Sequence, residues 1–154
     1  MKQNNKNRIN ILNKKARFNY EILETYEAGI QLFGSEIKSI RLGKVSIAES
    51  FCQIINGELY VINMQIEEYL LATHYNHLPK RDRKLLLKKR ELLKIVKRMQ
   101  DIGNAIVPLK MYITDKGFAK LQIALAKGKK NYDKRQTIKQ REAKKSLERI
   151  KKKF

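Results

Sequence analysis

Apolar and polar residues exchange places along this chain with two different periods, and the changes of period mark its elements. In FNYEILETYEAGIQLF, residues 18–33, Phe18, Tyr20 and Ile22 alternate with Asn19 and Glu21. A period of two puts the apolar groups on one face of a strand. Ala28–Gly29 then interrupts the pattern before Ile30 and Leu32, which predicts a hairpin turned at the glycine. In GSEIKSIRLGK the spacing lengthens. Phe33, Ile37 and Ile40 repeat at helical intervals, Ser35 is a capping residue and Gly43 a stop, so a short helix is expected. SIAESFCQIINGELYVINMQIEEY returns to alternation around Asn56–Gly57, the strongest short-range signal for a hairpin.

THYNHLPKRDRK follows as a polar, basic loop closed by Pro79. The spacing beyond it predicts a helix from about Asp82 to Ile102. Leu85, Leu92, Val96 and Met99 form one stripe, and Lys88, Lys89, Arg90, Lys94, Lys97 and Arg98 crowd the other faces. NAIVPLKMYIT and GFAKLQIALAK then predict two more strands, turned by Asp115, Lys116 and Gly117. The whole predicts a mainly β chain. Its body is an antiparallel β-barrel of about six strands related to the oligonucleotide-binding fold, with two or three peripheral helices and a basic C-terminal tail.

Charge sharpens this picture. Thirty-five Lys and Arg stand against 15 Asp and Glu, a net +20, well beyond the magnitude of about 2–8 that solubility asks of a small domain. The segment from Lys127 to Phe154 holds 13 basic and 3 acidic residues, so half of the excess lies in the last 28 residues. A partner rich in negative charge is expected, and the split marks a globular body with an interaction tail. The expected organisation is a flexible N-terminal arm at 1–12, an RNA-binding β-barrel domain at 13–127, and a tail at 128–154. Asp133 with Gln136 and Thr137 with Gln140 have capping-box spacing. Yet only Ile138, Ala143, Leu147, Ile150 and Phe154 are apolar there, so the tail is expected to be disordered when free and helical when bound.

Catalytic chemistry leaves little trace. His74 and His77 could join Cys52 or Glu67 around a metal, but a zinc site needs four ligands at recognisable spacing, and a surface or RNA-facing role in the loop fits the two histidines better. Glu67 and Glu68 are adjacent on a strand and point to opposite faces, so they cannot act as an acid–base pair. No phosphate loop, nucleophile elbow or HExxH motif is present. The chain is expected to be no enzyme and to need no cofactor or metal. The tail's thin apolar face and the absence of Trp argue against a membrane partner. A barrel with stacking aromatics and no helix-turn-helix or zinc finger favours RNA over DNA, and Tyr132 in the tail is a candidate for stacking. MKQNNKNRIN has no leader-like apolar stretch and Cys52 has no internal partner, which gives the expectation of a cytoplasmic protein.

Three stretches carry a resemblance: NKKARFNYEILETYEAGIQLFGSEIKSIRLGKVSIAES, RDRKLLLKKREL and ALAKGKKNYDKRQTIKQREAKK. Together, from about Asn13 to Lys145, they resemble the small protein B (SmpB) family, the bacterial SsrA-binding proteins. The resemblance implies a β-barrel body that binds the tRNA-like domain of transfer-messenger RNA (tmRNA, SsrA RNA). It also implies delivery of that RNA to ribosomes stalled on messages without a stop codon, where the tail enters the vacant decoding centre and mRNA channel lined by small-subunit rRNA. By motif, Asn13, Glu27, Leu86 and Lys120 are expected to support tmRNA binding. Lys127, Lys129 and Lys130 lead into the tail, Tyr132, Asp133, Lys134 and Arg135 are expected at the decoding centre, and Lys139 and Arg141 follow in the channel. Relatives often have histidine where Tyr132 stands, so the stacking face is kept and an ionisable ring is lost. A monomer is expected. The competing reading is a general rRNA-binding or ribosomal structural protein whose tail threads through rRNA, and an RNA-processing enzyme is a third.

Overall fold

The computed structural model describes residues 9–72 and 74–153. Its elements in order are β1 (Asn10–Leu12), α1 (Lys14–Asn19), β2 (Tyr20–Ile30), α2 (Gly34–Arg41), β3 (Val45–Ser46), β4 (Phe51–Ile55) and β5 (Glu58–Ile62). There follow β6 (Gln65–Ile66), β7 (Arg83–Leu86), α3 (Lys89–Arg98), β8 (Asn104–Ile113), β9 (Ala119–Gly128) and α4 (Asn131–Lys153). All strand pairs are antiparallel. From β8 the hydrogen-bonded order runs through β4, β5, β7, β2 and β9 and returns to β8, so six strands form the expected ring. β1 lies outside it on β8, and β3 and β6 make a separate two-stranded ribbon.

Alternation explains the interior. Tyr26 and Ala28 on β2, Leu59 and Val61 on β5, Leu85 on β7 and Leu121, Ile123 and Leu125 on β9 pack into one core with Ile40 of α2 and Ile95 of α3. A smaller cluster lies on the opposite face of β8 and β9, where Val107, Leu109, Ala124 and Ala126 are covered by Ala16 of α1. Both faces of β9 are therefore buried over IALA, residues 123–126, which is why that stretch reads as continuous apolar sequence.

Several expectations are corrected. Ala28–Gly29 is no turn: β2 runs unbroken across it. A Cβ at Gly29 would lie 3.3 Å from the Cβ of Leu86 on β7, so this glycine serves close approach inside a strand. The real turn is Asn56–Gly57, where both residues take positive φ and join β4 to β5 as expected. The helix predicted from Asp82 starts only at Lys89, because Arg83–Leu86 forms β7 between β5 and β2. Its inward stripe is Leu92, Ile95 and Met99, with Val96 half-buried at the side. α1, Lys14–Asn19, takes Phe18 and Asn19 out of the strand expected from residue 18, and β1 occupies part of the stretch assigned to a flexible arm, while residues 1–8 lie outside the described residues. Asn131–Lys153 of the tail forms the helix α4.

Polar groups close the far side of the ring. Glu36 of α2 and Arg83 of β7 are fully buried and ion-paired through Arg83 Nε. Glu36 also accepts from Arg81 Nη2 at 2.6 Å and from the Phe33 amide at 2.8 Å. Arg83 donates on to the carbonyls of Met64 (2.7 Å), Arg81 (3.0 Å), Pro79 (3.1 Å) and Leu78 (3.4 Å), so one guanidinium shapes the segment 64–81. His77 is buried as well, against the expectation of a surface role. Its Nε2 donates to the Ile66 carbonyl, and its Nδ1 lies 2.9 Å from Ser35 Oγ. Burial alone raises the pKa of Glu36, but the bonds from Arg81, Phe33 and Arg83 outweigh it and the net shift is downward from 4.5. The unfolded chain therefore takes up this proton at a higher pH than the folded one. The stability Glu36 contributes is complete above the ordinary carboxylate range and is lost as pH falls through its depressed value. Urea midpoints measured downward from about pH 7 should hold and then drop below about pH 4.5, and Glu36→Gln should flatten that acid limb.

Candidate nucleic-acid interface

The outer face of β7, β2, β9 and β8 is built by register. Gly29 pairs with Leu86 on one side and Lys120 on the other, and Lys120 pairs with Tyr112. Leu86, Gly29, Lys120 and Tyr112 thus form one row across four strands. In the next row Glu27 stands opposite Gln122, which stands opposite Lys110. Tyr112 Oη donates to Glu27 Oε2 at 2.5 Å, and Lys110 Nζ lies 5.2 Å from the centroid of the Tyr112 ring. Burial first, and then the Glu27 carboxylate, pushes the Tyr112 phenol up to about 12, so it remains a neutral donor that fixes the carboxylate. Leu86 is 51% exposed, an apolar contact at the end of the row that holds Lys120. The face offers cations for phosphate, an acceptor for base amino groups and flat apolar surface for bases.

Three of the four residues expected to support tmRNA binding, Glu27, Leu86 and Lys120, therefore meet on one face. Asn13 does not join them. It is buried at the start of α1, where Oδ1 accepts from the Ala16 amide at 3.2 Å. Its Nδ2 donates to the carbonyls of Pro108 (2.9 Å) and Ile47 (3.2 Å). It fastens α1 to β8, which is a positioning duty. Sequence reasoning missed Lys110, Tyr112 and Gln122. The available signal was the alternation of Lys110 with Tyr112 and of Lys120 with Gln122, but only the register shows that the two strands share a face.

The tail starts from the other end of β9. Lys127 and Gly128 are exposed, the Lys129 amide donates to the Asn19 carbonyl at 2.9 Å, and Lys130 precedes α4. Lys134 is half-buried; Arg135, Lys139 and Arg141 are exposed. The Arg141 guanidinium carbon lies 5.5 Å from the centroid of Phe18 on α1. Tyr132 and Asp133 fall within the backbone of α4, and their side chains lie outside the described residues. On α3, Lys89, Arg90, Lys94 and Lys97 are exposed, a second basic surface on the body.

Other chemistry is poorly served. Cys52 is buried and its thiol is pushed up by burial, which leaves it inert. His74 is exposed, and both ring nitrogens of His77 are engaged. Among the described residues no three His, Cys, Asp or Glu are grouped to hold a metal, and no helix is long and apolar enough to cross a membrane.

Comparison with known proteins converges on one family. The family described as SmpB protein matches residues 10–153. The SsrA-binding protein of Christiangramia forsetii is 60% identical over 149 residues, covering 97% of this chain and 95% of its own. That of Flavobacterium psychrophilum is 59% identical over 146 residues, covering 95% and 97%. A solved structure described as "tmRNA-SmpB: a journey to the center of the bacterial ribosome" contains a chain 46% identical to this one. It superposes with a TM-score of 0.66 over 81% of this chain and 86% of that one.

Proposed function

Because the chain belongs to the SmpB protein family, we infer that it is a tmRNA-binding protein of trans-translation. Its body binds the tRNA-like domain of SsrA RNA and brings it to ribosomes stalled on non-stop messages. Its tail enters the vacant decoding centre and mRNA channel, so that tagging and ribosome release can follow. It acts in the cytoplasm as a monomer and turns over no bond itself. The observation that carries this reading is the division of labour along β9: a structured face of Glu27, Leu86, Lys120 and Tyr112 near one end, a cationic tail at the other. Within the tail, Lys127, Lys129, Lys130, Lys134, Arg135, Lys139 and Arg141 follow the rRNA phosphates, and Tyr132 and Asp133 stand at the decoding centre.

A salt-dependent titration against the tRNA-like domain, an ordinary tRNA and a random RNA of equal length tests this. The full chain should prefer the tRNA-like domain. Lys120→Ala should weaken that complex and lower the slope of log K against log salt by about one. Equal binding to all three RNAs would hand the case to a general rRNA-binding protein.

A further inference from the structure

A groove lies beside the recognition face, between the start of α2 and the β8–β9 turn, and none of the roles above uses it. Leu32, Phe33 and Arg41 line one side and Lys116 and Phe118 the other, around a volume of about 370 Å³. That is within the range of pockets that bury small ligands, about 300–1,000 Å³. Its two rings are unusually open for large apolar groups: Phe33 is 57% and Phe118 65% exposed. Phe33 is held in place by Arg81, whose guanidinium carbon stands 4.2 Å from the ring centroid while Nη2 is anchored on Glu36 and on the Gln31 carbonyl. Arg41 Nη2 reaches the Gly117 carbonyl at 3.4 Å and so spans the groove's two walls.

No acidic residue lines the groove, and Arg41 and Lys116 place a positive charge on each of its two walls, whereas Arg81 behind Phe33 is already paired with Glu36. An apolar protein segment would leave those cations unanswered, whereas a nucleotide answers both features, offering a flat base to the rings and a phosphate to the cations. Phe118 is also only two residues from Lys120, so a strand of RNA leaving the recognition face reaches the groove without a break. We propose that the groove takes one unpaired nucleobase of the bound RNA against Phe33 and Phe118, with its phosphate on Arg41 and Lys116. The proposal rests on the RNA-binding reading given above and adds a stacking subsite to it.

The test is a binding cycle with the full chain and the tRNA-like domain. Phe118→Ala and Phe33→Ala should each weaken binding about ten-fold and leave the salt slope unchanged, since no counterion is released by a ring. Phe118→Trp should bind at least as well as the native chain. Lys116→Ala should instead lower the slope by about one. An abasic scan of the RNA then locates the partner: at one unpaired position, removing the base should weaken the native complex about ten-fold and leave the Phe118→Ala complex unaffected. If both alanine variants bind within two-fold of the native chain, or if every abasic loss adds to that of Phe118→Ala, the groove holds no base. Loss of preference for the tRNA-like domain by the native chain would instead defeat the underlying reading, a distinct outcome. Thermal melting of Phe33→Ala and of Phe33→Tyr, which keeps the ring, separates loss of stacking from loss of fold.

Discussion

Ending the chain at Asn131 is expected to abolish peptide tagging on stalled ribosomes while leaving affinity for the tRNA-like domain within a few-fold of the full chain. The body keeps its whole recognition face, because Glu27, Leu86, Lys120 and Tyr112 are positioned by strand register and owe nothing to α4. What goes is 10 of the 35 basic residues, those from Lys134 to Lys153. A tRNA-like RNA on a ribosome without a codon cannot announce itself by pairing. A helix of basic side chains can enter the empty channel in place of the message, and an intact message would exclude it by occupying the same space. The signal read is therefore the absence of RNA. A reconstituted translation reaction on a message lacking a stop codon, scored for tagged product, checks this beside the binding titration. Tagging by the truncated chain would overturn the role given to the tail.

The second large effect is expected in the body. Arg83→Met leaves Glu36 charged and fully buried with only the partly exposed Arg81 as its ionic partner, and it leaves the carbonyls of Met64, Leu78 and Pro79 without their donor. Breaking one side of a buried pair costs about 3–5 kcal/mol, which for a chain of this size lowers Tm by about 6–20 °C. Replacing both partners, Glu36→Gln with Arg83→Met, should recover part of that loss, since no uncompensated charge remains. Urea unfolding of the three variants and the native chain closes the cycle. A melting temperature for Arg83→Met within about 2 °C of native would show that the pair does not hold the ring shut.

This buried pair also shows where sequence reasoning stops. RDRKLLLKKREL has the leucine spacing of a helix, and nothing local distinguishes the strand Arg83–Leu86 from it. The decisive fact is a carboxylate 47 residues away on α2, and a fully buried arginine becomes tolerable only once that partner is known. Gly29 failed for a related reason. A glycine inside alternating sequence marks either a turn or a close approach, and the neighbour that decides, Leu86, belongs to a strand that was itself misread. Asn56–Gly57 and the β8–β9 turn were legible because short-range chemistry settles them, and α2 was legible from its spacing and the Gly43 stop, although its cap is Phe33 and not the expected Ser35, whose hydroxyl instead meets His77. Glu27, Leu86 and Lys120 were named by family resemblance alone, and that they meet on one face is a matter of long-range register that the sequence does not display. Asn13 was expected beside those three by the same resemblance, but its side chain is buried and holds α1 onto β8, a placement that also depends on long-range contacts.

Strand β9 has a mechanical meaning as well. From Lys120 to Gly128 it is one extended piece of chain about 27 Å long, at about 3.4 Å per residue, flanked by β2 and β8 over nearly all of that length. Tension on the tail along this axis loads both ladders in shear, so their hydrogen bonds resist together and do not unzip one by one. A pull at the tail is therefore passed to the face around Lys120 with little stretch, as a strut passes force between its ends. Wherever the tail is drawn in and gripped, the body and the RNA on it must follow by the same displacement.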